Sequence, residues 1–323
     1  MSNVRDKLQV FRAHGAAFLR SPTGVRVTAW GRRLLFAGIV ALLWYQLRGI
    51  GWGQIWHSLP SEPLFYVALV VLFCQQPLFY TLAYRLSWTF RFREGLAALF
   101  KMCVYNNDVL GNLGEVYLYV WAEKRLGLSR LTVLRTIKDN AILSWICDTS
   151  VTLSLPGLLV LTGQISPALP LNPTERTLLV AGLAVVAALV AVGLALHRKI
   201  LAMPTRRMAA VVAIYLARLV LLTLVAMGQW AVVLPDVPLT SWLTLVALRN
   251  LVNWIPLLPS NDLLFVGAGV TLAEQLGIPA APLAAMLLMT SALQKLLNAA
   301  LFTAISLADR RHASPAEPAA AIN

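Results

Sequence analysis

Charged side chains are scarce in this chain of 323 residues. Asp, Glu, Lys and Arg together make up 13% of it, hydrophobic residues make up 59%, and the mean hydropathy is +0.71. Soluble globular domains carry about 25% charged and about 45–50% apolar residues. So little charge excludes a fully hydrated surface, because too few polar groups are left to cover it. We therefore predict an integral membrane protein.

Metal-ligating and nucleophilic residues are also few. The three cysteines, Cys74, Cys103 and Cys147, lie in apolar segments at spacings that fit neither a disulfide framework nor a zinc site. The four histidines are far apart, and no HExxH motif, Walker loop or nucleophile elbow occurs. These absences give no support to catalysis by a familiar motif. We expect no metal and no cofactor.

Acidic residues are outnumbered, with 14 Asp and Glu against 27 Lys and Arg, a formal net charge of +13. In a soluble protein this excess would suggest nucleic-acid binding, but membrane proteins concentrate Lys and Arg in their cytoplasmic loops. We therefore expect no nucleic-acid partner. The basic surface should instead attract membrane lipids with anionic headgroups.

The two ends of the chain differ from its middle. Residues 1–33 are basic, with hydrophobic residues at three- and four-residue steps, which favours a cytoplasmic interfacial helix over a disordered arm. A cleavable signal peptide is not evident, because the first apolar run begins only at Leu34. We predict a membrane domain at 34–308 and a disordered cytoplasmic tail, rich in Ala and Pro, at 309–323.

The apolar stretches of the membrane domain are of two kinds. Two of them, Leu96–Trp121 and Trp242–Leu276, are interrupted by polar, Gly or Pro residues, from Asn106 to Glu115 and from Pro256 to Asp262. The others are uninterrupted and have the roughly 20 residues that cross a hydrocarbon core of about 30 Å. These six predicted spans are Leu34–Gly51, Pro63–Tyr84, Asn140–Leu161, Thr177–Leu196, Met208–Val233 and Pro282–Leu307.

Basic residues indicate how these segments run through the membrane. Clusters flank Leu96–Trp121 on both sides, around Arg93 and around Arg130, so this stretch should enter from the cytoplasm and return there. The loop 235–240 has no basic residue, so Trp242–Leu276 should dip in from outside. We predict re-entrant hairpins at both places, with the N- and C-termini in the cytoplasm and the protein in the cell inner (cytoplasmic) membrane.

The two halves of the domain resemble each other. Leu126-Gly127-Leu128-Ser129 and Leu276-Gly277-Ile278-Pro279 each follow an interrupted stretch and precede a long span. The two spans carry polar residues at four-residue steps, which places them on one helical face: Asn140, Ser144 and Asp148 in one, Thr290, Gln294 and Asn298 in the other. A chance match of small packing residues is the alternative.

These features together predict the architecture. We expect an all-α integral membrane protein of about six full spans plus two re-entrant broken-helix hairpins, arranged as an inverted-topology repeat. Repeat one would cover about 63–162 and repeat two about 208–307. In transporters of this architecture the binding site lies near mid-membrane, where the broken helices meet.

Seven charged residues fall at membrane depth, where a charge costs at least about 2.5–3.5 kcal/mol. Arg249 is the best candidate to bind a phosphate-type headgroup, because its planar fork binds oxyanions bidentately; a salt bridge to Glu115, Asp108 or Asp262 is the alternative. Asp148 and Lys295 could pair across the two symmetric spans. Arg218 could snorkel to the cytoplasmic surface.

These residues define two predicted sites. The substrate site consists of Arg249, Glu115, Asp108, Asp262, Asn107 and Asn253. The second is a polar stripe at membrane depth, made of Asn140, Ser144, Asp148, Gln294, Lys295 and Asn298.

The repeated pattern resembles the transmembrane, flippase-like domain of the lysylphosphatidylglycerol synthase family. Its first copy reads Asn106-Asn107-Asp108, Gly114-Glu115 and Leu126-Gly127-Leu128-Ser129, and its second reads Asn250, Asn253, Pro256, Pro259 and Leu276-Gly277-Ile278-Pro279. The first copy has Asp108 where the family has proline, and the second lacks the Gly-rich run and its Glu. No cytoplasmic synthase domain follows, so aminoacyl transfer is not implied.

What the resemblance implies is translocation of a lipid or lipid-linked amphiphile with an anionic headgroup. No nucleotide-binding signature occurs, so we expect the process to be independent of ATP. Two alternatives stay open: a membrane-embedded lipid headgroup transferase with Asp108, Glu115 and Asp262 as acid–base groups, and a non-transporting accessory subunit of envelope-lipid or polysaccharide assembly. A homo-oligomer or an envelope-biosynthesis partner fits either.

Overall fold

The computed structural model describes residues 52–106, 113–161, 201–254 and 261–312, together with isolated residues within 41–45 and 172–191. These four ranges are helical apart from short connections, and no strand occurs in them. Their helices are α1 (Trp52–His57), α2 (Pro63–Arg85), α3 (Phe92–Val104), α4 (Leu113–Leu126), α5 (Arg130–Leu161), α6 (Thr205–Val233), α7 (Leu239–Trp254), α8 (Asn261–Ala273) and α9 (Ala280–His312).

Three of these helices are long and apolar enough to cross a membrane, judged by length and composition. They are α2, α6 and the Ala280–Ala304 part of α9. The prediction of a helical chain with apolar, membrane-crossing helices is therefore confirmed for the described part. The predicted span Asn140–Leu161 is part of the longer helix α5, which begins at Arg130 and is not one of these three. Most of the predicted spans Leu34–Gly51 and Thr177–Leu196 lies outside the described residues.

The first interrupted stretch forms an antiparallel pair of helices, α3 and α4. At the open end, the start of α3 meets the end of α4: Arg125 Nε lies 3.8 Å from Glu94 Oε2. The ring centroids of Phe90 and Trp121 lie 6.0 Å apart at the same end. Two ends that are far apart in sequence are thus side by side, which makes α3 and α4 a helical hairpin. We call it hairpin 1.

The second interrupted stretch has the same form, with α7 and α8 as its arms. Ser241, near the start of α7, donates a hydrogen bond of 2.8 Å to the carbonyl oxygen of Leu276, just after α8. Gly269 of α8 faces the side chain of Leu245 in α7. This pair, hairpin 2, is also antiparallel. Its arms, like those of hairpin 1, have 13–16 residues, about 20–24 Å at 1.5 Å per residue, which is less than a hydrocarbon core.

Each hairpin is followed by the same turn and then by a long helix. Gly127 after α4 has φ of 64° and Gly277 after α8 has φ of 66°. This left-handed conformation is costly for a residue with a Cβ, so glycine is the residue that fits it. The following helices α5 and α9 have 32 and 33 residues. The two motifs that look alike in the sequence therefore have the same backbone form.

The centre of the molecule is the contact between α2 and α6, which is the most extensive helix–helix contact among the described residues. The two helices run antiparallel, because Gln229 near the end of α6 donates to the carbonyl oxygen of Phe65 at the start of α2, at 3.1 Å. At the other end, the rings of Tyr80 and Tyr215 meet edge to face at 5.8 Å. This pair joins the two halves, with hairpin 1 packed against α2 and hairpin 2 against α6.

Candidate functional site

A buried ion pair lies between α5 and α6. An Arg218 terminal nitrogen donates to Asp148 Oδ1. Arg218 is only 5% exposed, and its guanidinium lies 5.6 Å from the centroid of the Tyr80 ring. The prediction that Arg218 snorkels to the surface is wrong. Its helix packs on α2 and α5, so the side chain has an anion and an aromatic face within reach and needs no route to water.

The polar stripe of α5 faces the same contact. Asn140 is 1% exposed and accepts a hydrogen bond of 2.9 Å from the hydroxyl of Tyr215 in α6. Ser144 donates to the second carboxylate oxygen of Asp148 at 3.1 Å. The stripe and the ion pair therefore form one polar network between the two halves, which we call the α5–α6 network. Tyr215 belongs to it without any signal in the sequence except its place on an apolar helix.

The expected partner of Asp148 was Lys295, and the structure gives it Arg218 instead. The reason lies in the packing: α5 packs on α4, α6 and α7, whereas α9 packs chiefly on α8. Lys295 is exposed in α9, and Gln294 and Asn298 are half-buried there. The two symmetric stripes therefore lie on helices that do not pack together.

The break of hairpin 1 is bridged by Asn106. Its amide oxygen accepts a hydrogen bond of 2.7 Å from the backbone N–H of Gly114, and its amide nitrogen donates to Glu115 Oε1 at 3.0 Å. Gly114 and Glu115 were expected in the break, but they belong to the first turn of α4, where Asn106 occupies one of the free N–H groups. Asn107 and Asp108 lie outside the described residues.

Lys101 is a buried charge that the sequence pattern did not reveal. It is 8% exposed in α3, and its ammonium lies 5.0 Å from the centroid of the Tyr117 ring in α4. Its place after Arg85, Arg91 and Arg93 suggested a solvated basic cluster. The signal that was available is helical spacing, because Lys101 shares a face with the buried Ala98 and Val104 of α3.

Two of the predicted substrate-site residues lie on either side of the break of hairpin 2. Arg249 lies on α7 before the break and is half-buried. Asp262 is in the first turn of α8, after the break, and its charge acts on Arg249. Asn253 is exposed on α7. Asp262 had been expected inside the break, but α8 begins one residue before it, at Asn261.

The predicted substrate site thus divides between the two hairpins. Glu115 bonds within hairpin 1, and Arg249 and Asp262 lie on the two arms of hairpin 2. No ion pair within 4.0 Å joins Arg249 to Glu115 among the described residues. No group of three His, Cys, Asp or Glu side chains in that part of the chain is placed to hold a metal ion.

Charges at the start of α5 make ordinary surface contacts. Arg130 Nε donates to Glu123 Oε1 at 2.7 Å, and this bond raises the pKa of the exposed guanidinium. Asp139, about two and a half turns into α5, is instead buried and accepts a hydrogen bond of 2.9 Å from the backbone N–H of Ala202. These contacts fix the α4–α5 turn and the segment before α6.

Comparisons of this chain with protein-family models, with curated proteins and with solved structures found no match.

Proposed function

We propose that this protein is a flippase-like membrane protein that moves a lipid or lipid-linked amphiphile with an anionic headgroup, without ATP. The observation that carries the proposal is the pair of antiparallel hairpins. Each interrupts an apolar stretch and holds ionisable side chains beside its break, Glu115 in hairpin 1 and Arg249 with Asp262 in hairpin 2. Broken helices that bring charge to membrane depth are typical of substrate sites in secondary transporters.

We propose further that the two halves are an inverted-topology repeat. The equal backbone form of Gly127 and Gly277 supports it, as does the matching order of a long helix, a hairpin and a second long helix in each half. The resemblance of the repeated motif to the flippase-like domain of the lysylphosphatidylglycerol synthase family supports a lipid substrate. The arms of the hairpins would then be shielded from lipid by the long helices, because unpaired backbone groups in hydrocarbon cost several kcal/mol each.

In the proposed topology both termini are cytoplasmic and hairpin 1 enters from the cytoplasm. Single cysteines in a background without native cysteines test it. A membrane-impermeant thiol reagent added to intact cells should label cysteines placed within 165–175 and 235–240. Cysteines placed beside Arg93 and Arg130 should be labelled only after the membrane is permeabilised. Labelling beside Arg130 from outside would mean that α3 and α4 cross the membrane, and hairpin 1 would not be re-entrant.

In this proposal Arg249 holds the headgroup. A cation in a hairpin arm that dips toward mid-membrane must find an anion, and Asp262 and the substrate phosphate would compete for it. Arg249→Lys keeps the charge but loses the bidentate fork. We expect this variant to keep its thermal stability and to lose most of its transport, measured as the transbilayer movement of fluorescent phosphatidylglycerol in proteoliposomes.

Arg125→Lys is the matched control, because Arg125 makes only an exposed ion pair of 3.8 Å with Glu94. It should transport like the wild type. If Arg249→Lys also transports like the wild type, or if it only unfolds the protein, Arg249 has a structural role. A wild-type protein that moves no lipid but forms a new headgroup product would favour the transferase alternative.

A further inference from the structure

The Arg218–Asp148 pair leaves one N–H group of the Arg218 guanidinium without a hydrogen-bond acceptor. Arg218 donates through a terminal nitrogen to one oxygen of Asp148, and Ser144 donates to the other oxygen. Arg218 Nε is buried without a hydrogen-bond partner. A carboxylate or phosphate bound bidentately takes two parallel N–H donors of the guanidinium at once. Asp148 takes one, so a buried donor remains for a second oxygen.

Stability of the fold does not account for this pair. Replacing a buried ion pair by well-packed apolar residues is often neutral or stabilising. The acid of the pair is not repeated in the second half: Asn298 stands as far after Gly277 as Asp148 stands after Gly127, and it carries no charge. A charge pair that joins the two halves and is not repeated at the matching position indicates a role that the fold itself does not require.

The two partners also differ in access. The side chain of Asp148 is 41% exposed, whereas that of Arg218 is 6% exposed. The carboxylate of Asp148 is therefore the accessible partner of the pair, and the guanidinium of Arg218 is enclosed by protein. Tyr80 lies against the guanidinium at 5.6 Å and meets Tyr215 edge to face, so Arg218 stays supported when Asp148 moves away.

We propose that Arg218 is an oxyanion-binding residue and that Asp148 is its exchangeable counter-ion. A phosphate-type group displaces the carboxylate and takes Nε together with a terminal nitrogen, while Ser144 keeps its bond to the displaced Asp148. The ligand class is a phosphate monoester or diester, and the inference rests on the proposed function only for the source of that group, a lipid headgroup. The site is distinct from Arg249, which lies on α7 in hairpin 2.

Binding to the purified full chain in detergent tests this inference. Isothermal titration with dihexanoyl phosphatidic acid and, separately, with inorganic phosphate compares the wild type with Asp148→Asn and Arg218→Gln. Asp148→Asn should bind each probe at least about tenfold more tightly than the wild type, because the carboxylate that competes for Arg218 is gone while Ser144 and the size of the side chain at position 148 are kept. Arg218→Gln should bind at least about tenfold more weakly, alone or combined with Asp148→Asn. Arg125→Gln, the control, should bind like the wild type.

The two probes identify the source of the anion. If Asp148→Asn binds both probes more tightly, the site recognises the phosphate group alone. If it binds only phosphatidic acid more tightly, the acyl chains contribute to binding. If Asp148→Asn binds neither probe more tightly, or if Arg218→Gln binds both like the wild type, the pair is structural and the inference is wrong. Should Arg218→Gln fail to fold, Arg218→Lys, which keeps the charge without the fork, takes its place and should still bind more weakly.

Transport measured on the same variants separates this inference from the proposed function. If the wild type moves lipid and neither the Asp148 nor the Arg218 variant changes binding or transport, the lipid translocation stands and the Arg218 site does not. If the binding pattern is as expected but the wild type moves no lipid, the oxyanion site stands and translocation is wrong.

Discussion

Hairpins 1 and 2 have the same form, and both have apolar contacts between their arms, but hairpin 1 adds polar and charged contacts to them. In hairpin 1 polar groups join the arms: Asn106 bridges to Gly114 and Glu115, and Lys101 lies over the Tyr117 ring. Hairpin 2 belongs to the largest apolar cluster of the described residues, and its arms contribute Trp242, Leu245, Val246, Val252, Phe265 and Val266. Its closing bond from Ser241 is a single neutral hydrogen bond.

The difference shows that the hairpin form does not depend on buried charge. Apolar packing around Trp242 and the hydrogen bond from Ser241 hold hairpin 2 closed, so the charges of hairpin 1 are not needed to make such a shape. They lie on the side of the molecule where the α5–α6 network also lies, because Cys103 of α3 and Tyr80 of α2 are both within reach of the Arg218 charge.

The largest expected effect concerns how closely the arms approach. A Cβ added to Gly114 would overlap the backbone carbonyl of Met102 and the side chain of Asn106, so a helix would have to move. We expect Gly114→Ala to destabilise the protein by about 2–3 kcal/mol, as overpacking does. The measurement is the free energy of unfolding in detergent. The amount of each variant is normalised by detection of an affinity tag that is accessible whether or not the protein is folded.

Gly269→Ala in hairpin 2 is the matched variant. Its Cβ would meet only the ends of the Leu287 and Leu245 side chains, at 3.3 and 3.5 Å, and alanine favours the helix over glycine. We expect a change of less than about 0.5 kcal/mol. Equal losses in the two variants would contradict the view that hairpin 1 alone depends on a close backbone approach.

A smaller and equal effect is expected where the two halves are alike. Gly127→Ala and Gly277→Ala should each cost about 1 kcal/mol, because both residues have a left-handed backbone and neither has an atom within 4 Å of the added Cβ. Thermal unfolding of the two variants measures it. Gly127→Asn and Gly277→Asn should recover part of the loss, since Asn tolerates this conformation. Unequal losses would speak against a common turn and so against the repeat.

The sequence by itself determined the elements. Scarcity of charge and runs of apolar residues predicted spans at Pro63–Tyr84 and Met208–Val233, and the structure has the helices Pro63–Arg85 and Thr205–Val233 there. A chain without enough polar surface must satisfy its backbone hydrogen bonds within each segment. The motifs around Gly127 and Gly277 resemble each other in the sequence, and both glycines have the same left-handed backbone, a conformation that favours glycine whatever packs against it. These features depend on local composition, which the sequence contains in full.

Which charges meet was decided only by the tertiary structure. Nothing in the sequence separates Arg218 from a snorkelling arginine, or Lys295 from a partner of Asp148, because each helix presents several faces and the neighbours of a face are set by packing. The structure packs α6 on α5 and so gives Asp148 the guanidinium of Arg218, and it turns Lys101 into the α3–α4 contact instead of toward solvent. The free energy of a charge at membrane depth depends on such neighbours, which lie far away along the chain and close together in the fold.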